Sequence, residues 1–113
     1  MNLRIAGGGK FGGRGSTILW AGIDGETERL RRLARAVARE LRAVRFALDR
    51  KPYRPHLTIA RPGARLARDL IAEDVAALAA YQGPDWPVTE FHLVRSHLGP
   101  DPHHDRIATF PLP

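Results

Sequence analysis

The strongest constraint on the fold is a helical spacing of apolar residues between residues 30 and 44. Seven apolar side chains recur at that spacing: Leu30, Leu33, Ala34, Val37, Ala38, Leu41 and Val44. This period predicts an amphipathic helix whose apolar stripe has to pack against another element. The opposite face carries arginines at Arg29, Arg31, Arg32, Arg35, Arg39, Arg42 and Arg45. Short apolar runs on both sides of the helix are typical of strands, so the helix is expected to cover a sheet.

Shorter patterns predict the remaining elements. Strands are expected over residues 3–6, 17–23, 56–61, 88–96 and 106–112, and a second helix over 65–82 with a break near 71–74. Asp24 and Gly25 are expected to turn the chain and cap the first helix, and the glycine-rich residues 7–15 to form a flexible connector. The order β-β-α-β-α-β-β predicts one α+β domain over residues 1–113, with two helices packed on one face of a largely antiparallel sheet.

A histidine and a threonine stand two residues apart in the strand predicted to begin at residue 56. Because side chains alternate along a strand, His56 and Thr58 are expected on one face, and Leu57 and Ile59 on the other, toward a core. An imidazole can move protons, and a hydroxyl can hold a phosphate or carbonyl oxygen. The pair therefore predicts phosphate chemistry. The plain structural alternative is a strand histidine that hydrogen-bonds a neighbour.

The charge, the cysteine count and the lengths of the apolar runs limit which partners and locations are expected. The formal net charge is +6, and of 18 lysines and arginines only Lys10 and Lys51 are lysines. Guanidinium groups suit phosphate contacts, so RNA is an expected partner, with a solvated arginine face as the alternative. The absence of cysteine excludes disulfides and thiolate sites. No apolar run approaches the roughly 20 residues that span a bilayer, so we expect no membrane contact and a cytoplasmic location.

Two other patterns offer ligand groups but are not expected to form sites. Lys10 is followed by Phe11 rather than by Ser or Thr, so the glycine stretch is not a phosphate-binding P-loop. Potential metal ligands occur at Asp101, His103, His104 and Asp105. Because prolines interrupt this segment, it is predicted to be an exposed loop. We therefore expect no metal and no other cofactor.

Five segments match a known pattern in the same order. They are Phe11 with Arg14, Leu-Trp-Ala-Gly-Ile at 19–23, Arg-Pro-His-Leu-Thr-Ile-Ala-Arg at 54–61, Val-Arg-Ser-His-Leu-Gly-Pro at 94–100 and Phe-Pro-Leu at 110–112. Together they resemble the 2H phosphoesterase superfamily, in its 2′-5′ RNA ligase or RNA 2′,3′-cyclic phosphodiesterase branch. The run at 54–61 is similar to the second His-x-Thr motif of that family. No other His-x-Thr or His-x-Ser occurs, so the chain resembles the C-terminal portion of such an enzyme.

The resemblance implies part of a bilobal α+β fold and a metal-independent reaction in which water opens a 2′,3′-cyclic phosphate to a 2′-phosphate. It implies that His56 is a general acid or base and that Thr58 donates to a phosphate oxygen. It also places Arg61 near the phosphate, although strand alternation directs this side chain away from His56. Tyr53 and Arg54 are expected to border the site as a stacking ring and a phosphate clamp. The implied partner is RNA with a 2′,3′-cyclic phosphate or a 2′-5′ linkage.

One His-x-Thr motif supplies one proton-transfer group, whereas in-line hydrolysis needs a group on each side of phosphorus. In one hypothesis the chain is a cyclic phosphodiesterase, and a homodimer through an exposed sheet edge supplies a second His56. In another it is a catalytically inactive remnant that binds RNA or phosphate through Thr58, Arg61 and the arginine face. The third is a fragment without an independent role.

Overall fold

In a computed structural model of the chain, two helices separate three groups of strands among the residues that the structure describes. The structure describes residues 1–13, 16–62 and 68–113. Its elements in chain order are β1 (Asn2–Phe11), β2 (Ile18–Gly25), α1 (Thr27–Ala43), β3 (His56–Ala60), α2 (Arg68–Ala80), β4 (Gln82–Pro87), β5 (Glu90–His97) and β6 (His103–Pro111).

All strand pairs are antiparallel among the described residues. Strands β3, β2, β1 and β4 form a four-stranded sheet in that order, and β5 pairs with β6 in a separate two-stranded hairpin. Helix α2 packs against β1 and β2. The predicted α+β class, with two helices and antiparallel strands, is confirmed.

The buried apolar side chains of the described residues lie on the two central strands of the four-stranded sheet. They are Leu3, Leu19 and Ala21, at 3%, 4% and 2% exposed. The expectation that Leu57 and Ile59 enter a core is wrong, since both are about half exposed. They belong to β3, an edge strand, and α2 leaves a groove of about 460 Å³ beside Leu19 and Ile59.

The glycines at residues 7–9 belong to a strand rather than to the predicted connector. Strand β1 continues to Phe11 because its glycines let β2 approach closely. A Cβ atom on Gly8 would lie 2.5 Å from the carbonyl oxygen of Trp20, and one on Gly9 would lie 2.9 Å from Cζ2 of the Trp20 ring. Gly7 has a φ of 70° at the irregularity where the register with β2 shifts. Residues 14 and 15 of the predicted connector lie outside the described residues.

The start of α1 differs from the expectation. Asp24 is still in β2, and the helix N-cap is Glu26, whose side chain does not cap the helix. That carboxylate instead accepts a hydrogen bond from the backbone N–H of Asn2 and pairs with Arg29 at 3.2 Å. The Asn2 N–H, and next the Arg29 side chain, hold the pKa of Glu26 below its ordinary value of 4.5. Glu26 thus ties the helix start to the first strand.

Three further boundaries depart from the sequence patterns. Helix α2 is continuous from Arg68 to Ala80, without the predicted break, and residues 65–67 lie outside the described residues. Strand β4 has no counterpart among the predicted elements, and it pairs with the outer side of β1. Strand β6 begins at His103, so the predicted loop ends earlier than expected, because His103 and His104 pair with the end of β5.

The β5–β6 hairpin extends from the four-stranded sheet. Backbone hydrogen bonds in both directions join Met1 to Val88, just before the hairpin, and Leu112 donates to Thr89. The radius of gyration is 16.4 Å, whereas a compact domain of this length is expected to have about 13 Å. The chain is therefore elongated. Within the described part, neither helix is long and apolar enough to cross a membrane.

Candidate active site

The sheet register places the predicted histidine and threonine on one open face. His56 lies opposite Gly22, and Thr58 lies opposite Trp20, across the β2–β3 pair. Leu57 and Ile59 have the other parity, and Ile59 lines the groove beside α2. His56 and Thr58 are both exposed. The face away from α2 therefore presents an imidazole and a hydroxyl to solvent, about 7 Å apart along the strand.

Two aromatic rings contact the imidazole on this face. Phe11 stacks on Trp20 with ring centroids 5.1 Å apart, and the Phe11 ring meets His56 edge-on at 5.2 Å. Trp20 also approaches His56 edge-on, at 6.5 Å. We call these three residues the aromatic cluster. The strand pattern alone does not identify Phe11 and Trp20 as site residues. Once the register of β1 with β2 is known, both aromatic side chains fall on the same face of the sheet as His56.

A backbone carbonyl sets the orientation of the imidazole. His56 Nδ1 lies 2.6 Å from the carbonyl oxygen of Arg54. Because a carbonyl oxygen can only accept, Nδ1 carries the proton and donates it in this hydrogen bond. Nε2 then remains as the nitrogen that can take or give a proton toward a ligand. The hydrogen bond and the two ring contacts hold the imidazole in one place, which general acid–base chemistry requires.

The other three predicted site residues are exposed and border β3. Arg54 contributes its backbone carbonyl to His56, and Arg61 lies one residue beyond the end of β3. Tyr53 is 49% exposed. Over the residues that the structure describes, no hydrogen bond or ion pair joins these three side chains to the side chains of His56 or Thr58. Their substrate-binding roles remain predictions.

An ion-pair network shares the open face. Arg4 pairs with Asp24 at 3.4 Å and with Asp85 at 3.1 Å. Asp24 has the same parity on β2 as Gly22, the partner of His56, so the ion pairs lie on the same side of the sheet. All three side chains are substantially exposed, so these pairs contribute little stability. Two carboxylates already occupy the Arg4 guanidinium, and it is therefore a poor candidate for a phosphate ligand.

The comparisons with known proteins agree on one family of RNA-processing proteins. The family model described as the 2′-5′ RNA ligase superfamily matches residues 1–100. An RNA 2′,3′-cyclic phosphodiesterase of Geobacillus stearothermophilus is 34% identical over 115 residues, and one of Thermus thermophilus is 37% identical over 106 residues. A crystal structure of a Thermus thermophilus protein is similar with a TM-score of 0.65 and 31% identity, covering 99% of this chain and 60% of that one.

These matches cover most of this chain but only part of the relatives. The Geobacillus match spans 98% of this chain and 35% of the relative, and the Thermus match spans 86% and 48%. The chain therefore spans between about a third and a half of the length of the curated relatives it matches. Only one His-x-Thr motif, at His56, falls within the 113 residues.

Proposed function

Because the chain belongs to the 2′-5′ RNA ligase superfamily of 2H phosphoesterases, we propose that it forms one half of an RNA 2′,3′-cyclic phosphodiesterase site. The reaction is the addition of water to a 2′,3′-cyclic phosphate at an RNA end, which leaves a 2′-phosphate. The observation that carries the proposal is the shared open face of His56 and Thr58, with His56 Nδ1 committed to a carbonyl. Such a face offers one proton-transfer nitrogen and one hydroxyl donor.

The chemistry needs a proton acceptor and a proton donor on opposite sides of phosphorus. The water oxygen forms a bond to phosphorus while the bond from phosphorus to the 3′ oxygen breaks, roughly in line. One group takes a proton from the attacking water, and the other gives a proton to the departing 3′ oxygen. Nε2 of His56 performs one of these two transfers. Thr58 donates its hydroxyl proton to a nonbridging oxygen of the phosphate.

The residues around His56 supply the binding energy in this proposal. Arg61 and Arg54 attract the phosphate, and the exposed ring of Tyr53 stacks on a base. The arginine face of α1 is largely exposed, although Arg29 and Arg35 pair with Glu26 and Glu28. The remaining guanidinium groups of that face give a surface for the RNA backbone, with an affinity that falls as salt rises.

The second imidazole comes, in this proposal, from a second copy that pairs at the β3 edge. β3 is the outermost strand of its sheet, and its residues 56–60 are all exposed. Antiparallel pairing centred on Leu57 would place each His56 opposite Thr58 of the other copy, on one continuous face. The two His56 residues would then stand about 7 Å apart along the strands, which leaves room for one phosphate between the imidazoles.

The experiment combines a dilution series with a designed cross-link. The purified chain is assayed on an oligonucleotide ending in a 2′,3′-cyclic phosphate, and the activity per chain is measured over a range of protein concentrations. A composite site predicts activity per chain that rises with concentration. Leu57→Cys should form a disulfide across the paired strands, because directly opposed Cα atoms stand about 5 Å apart and the chain has no other cysteine. The oxidised variant should keep its activity on dilution.

Leu98→Cys is the matched control, since Leu98 is 91% exposed and far from β3 in sequence. Its oxidation should not protect activity against dilution. Activity per chain that stays constant down to concentrations at which the chain is monomeric would contradict the second copy, and the second proton-transfer group would then belong to the same chain. Saturable binding of the oligonucleotide without turnover at any concentration would instead support the inactive remnant and overturn the enzymatic proposal.

A further inference from the structure

A second cluster of histidines lies at the end of the β5–β6 hairpin, in a different sheet from His56. His97 and His103 are a directly opposed cross-strand pair, and Asp105 lies two residues along β6 on the same face. Their ligand atoms, one from each side chain, all lie within 4.8 Å of one another. The side chains of His97, His103 and Asp105 are 36%, 52% and 58% exposed. Nothing in the proposed phosphodiesterase site uses this cluster.

The hydrogen bonds of His103 leave an unmatched pair of acceptors. His103 Nδ1 lies 2.9 Å from the carbonyl oxygen of Asp101, so this nitrogen carries a proton and donates it to the carbonyl. Nε2 of the same ring lies 4.0 Å from Oδ2 of Asp105. In the neutral ring both atoms are acceptors, and a proton or a metal ion between them would satisfy both. The commitment of one ring nitrogen to a backbone carbonyl is also how proteins orient histidines that bind metals.

The same carboxylate oxygen is bonded on its other side by His97. His97 Nε2 donates to Oδ2 of Asp105 at 2.7 Å, and the His97 ring stacks on that of His103 with centroids 4.1 Å apart. Two imidazole nitrogens thus converge on one carboxylate from neighbouring strands. Arg95 lies opposite Asp105 in the register of the hairpin and is therefore a cation that can compete for this carboxylate.

We propose that His97, His103 and Asp105 bind a divalent transition metal of the zinc class. Two imidazoles and one carboxylate are a donor set that Zn²⁺ favours, with water completing the coordination. In a tetrahedral zinc site with bonds of about 2.0–2.2 Å, neighbouring ligand atoms stand about 3.3 Å apart. The present separations of 2.7 and 4.0 Å lie on either side of that value.

Small side-chain rotations form the site. The χ2 torsion of histidine is broad, so the two stacked rings can tilt until both Nε2 atoms point at one ion. His97 changes tautomer by exchange with solvent: the proton leaves Nε2 and one is taken up at Nδ1, so the neutral ring presents its Nε2 lone pair to the ion. The ion then bridges β5 and β6 at the end of a hairpin that has no fully buried side chain. Binding should therefore raise the stability of the hairpin against local opening.

The test is a titration of the tag-free full chain with Zn²⁺, repeated with Co²⁺ as a spectroscopic probe. We expect one ion per chain, and visible Co²⁺ absorption bands typical of a site with nitrogen and oxygen ligands. His103→Ala and Asp105→Asn should each weaken Zn²⁺ binding by about tenfold or more. His104→Ala and His92→Ala are matched controls, because both histidines lie on the opposite face of the same hairpin. There His104 hydrogen-bonds Ser96, and His92 hydrogen-bonds Thr109. The controls should bind as the unsubstituted chain does.

A second readout does not depend on the variants folding. Paramagnetic Co²⁺, added to the unsubstituted chain, should perturb first the NMR signals of His97, His103 and Asp105, before those of His104 and His92. The proposal is overturned if no saturable one-to-one Zn²⁺ binding occurs, or if His104→Ala weakens it as much as His103→Ala does. It is also overturned if the earliest Co²⁺ effects lie at His56. None of these outcomes bears on the proposed phosphodiesterase activity, which is tested by its own assay.

Discussion

The four-stranded sheet and the β5–β6 hairpin both present imidazoles to solvent, but the neighbours differ. On the sheet, His56 is held by a carbonyl and the rings of Phe11 and Trp20, with no carboxylate in contact among the described residues. On the hairpin, His97 and His103 face one carboxylate. An imidazole with one committed nitrogen and one open nitrogen suits proton transfer. Two imidazoles around an anion suit a cation. The partners, rather than the side chain, decide the chemistry.

The two regions also differ in what supports them. The buried apolar side chains of the described residues, Leu3, Leu19 and Ala21, all belong to the four-stranded sheet. The hairpin relies on its backbone ladder and on the stacked pair Phe91 and Phe110, at 5.1 Å. An isolated two-stranded hairpin is marginally stable. Substitutions in the sheet should therefore change global stability, and substitutions in the hairpin should act locally.

The largest effect that separates the two imidazole sites is expected from His56→Gln. The amide keeps the approximate size of the ring but cannot exchange a proton, so in the proposed reaction kcat/KM on a 2′,3′-cyclic phosphate should fall by about 10²–10⁴-fold. His104→Gln is the control, because His104 is on the hairpin and hydrogen-bonds Ser96. Steady-state assays measure kcat/KM for both variants and for the unsubstituted chain. Equal losses from the two variants would show that the effect is not specific to the imidazole of the four-stranded sheet.

The second largest effect compares a buried leucine with an exposed one. Leu19 is 4% exposed in β2, and Leu93 is 46% exposed in β5. Leu19→Ala should lower the free energy of unfolding by about 2–3 kcal/mol, at the low end for buried leucines because a groove already adjoins the side chain. Leu93→Ala should cost less than about 1 kcal/mol. Urea unfolding monitored by Trp20 and Trp86 fluorescence gives both values, and a larger loss from Leu93→Ala would place the main core in the hairpin.

Local patterns predict the elements that are decided by near neighbours in sequence. The apolar period from Leu30 to Val44 predicts α1, and strand alternation predicts the shared face of His56 and Thr58. Both follow from the geometry of a single element. The α+β class follows from the order of such elements.

Features that depend on pairing between distant segments escape such patterns. Strand β4 contains Pro84 and Pro87, which argue against a strand, and it is tolerated because it lies at the edge of the sheet and pairs only with β1. The contact of Phe11 and Trp20 with His56 depends on the register of three strands. The prolines before His103 predict a loop, but the pairing of His103 with His97 extends β6.

A glycine substitution tests how firmly the aromatic cluster holds His56. A Cβ atom on Gly9 would lie 2.9 Å from Cζ2 of Trp20, so Gly9→Ala has to displace that ring and, through it, Phe11 and His56. We expect a loss of about 1–2 kcal/mol in stability and a change in the NMR shifts of the His56 ring. Gly13→Ala is the matched control, since its Cβ atom would meet nothing within 4 Å. Unchanged His56 shifts in Gly9→Ala would show that the rings do not position the imidazole.

The smallest predicted effect is a loss of stability at low pH. It should arise from protonation of Glu26, which joins the start of α1 to the four-stranded sheet. The Asn2 N–H and Arg29 hold the pKa of Glu26 below its ordinary value of 4.5 in the folded chain. A carboxyl whose folded pKa is lowered adds stability above its unfolded pKa, and that stability is lost as the pH falls through the folded value. Glu26→Gln should therefore be slightly less stable than the unsubstituted chain near pH 7, and the difference should vanish well below about pH 4.

The control for this effect is Glu28→Gln, because Glu28 pairs with Arg35 on the exposed surface of α1 rather than with a strand. Urea midpoints measured across the acid range should show a pH-dependent difference for Glu26→Gln beyond any difference seen for Glu28→Gln. Since Glu26 joins the helix start to β1, its protonation should also speed amide exchange at Asn2 and Leu3 before it affects β5 or β6. Earlier exchange in the hairpin would contradict Glu26 as the group through which acid first opens the fold.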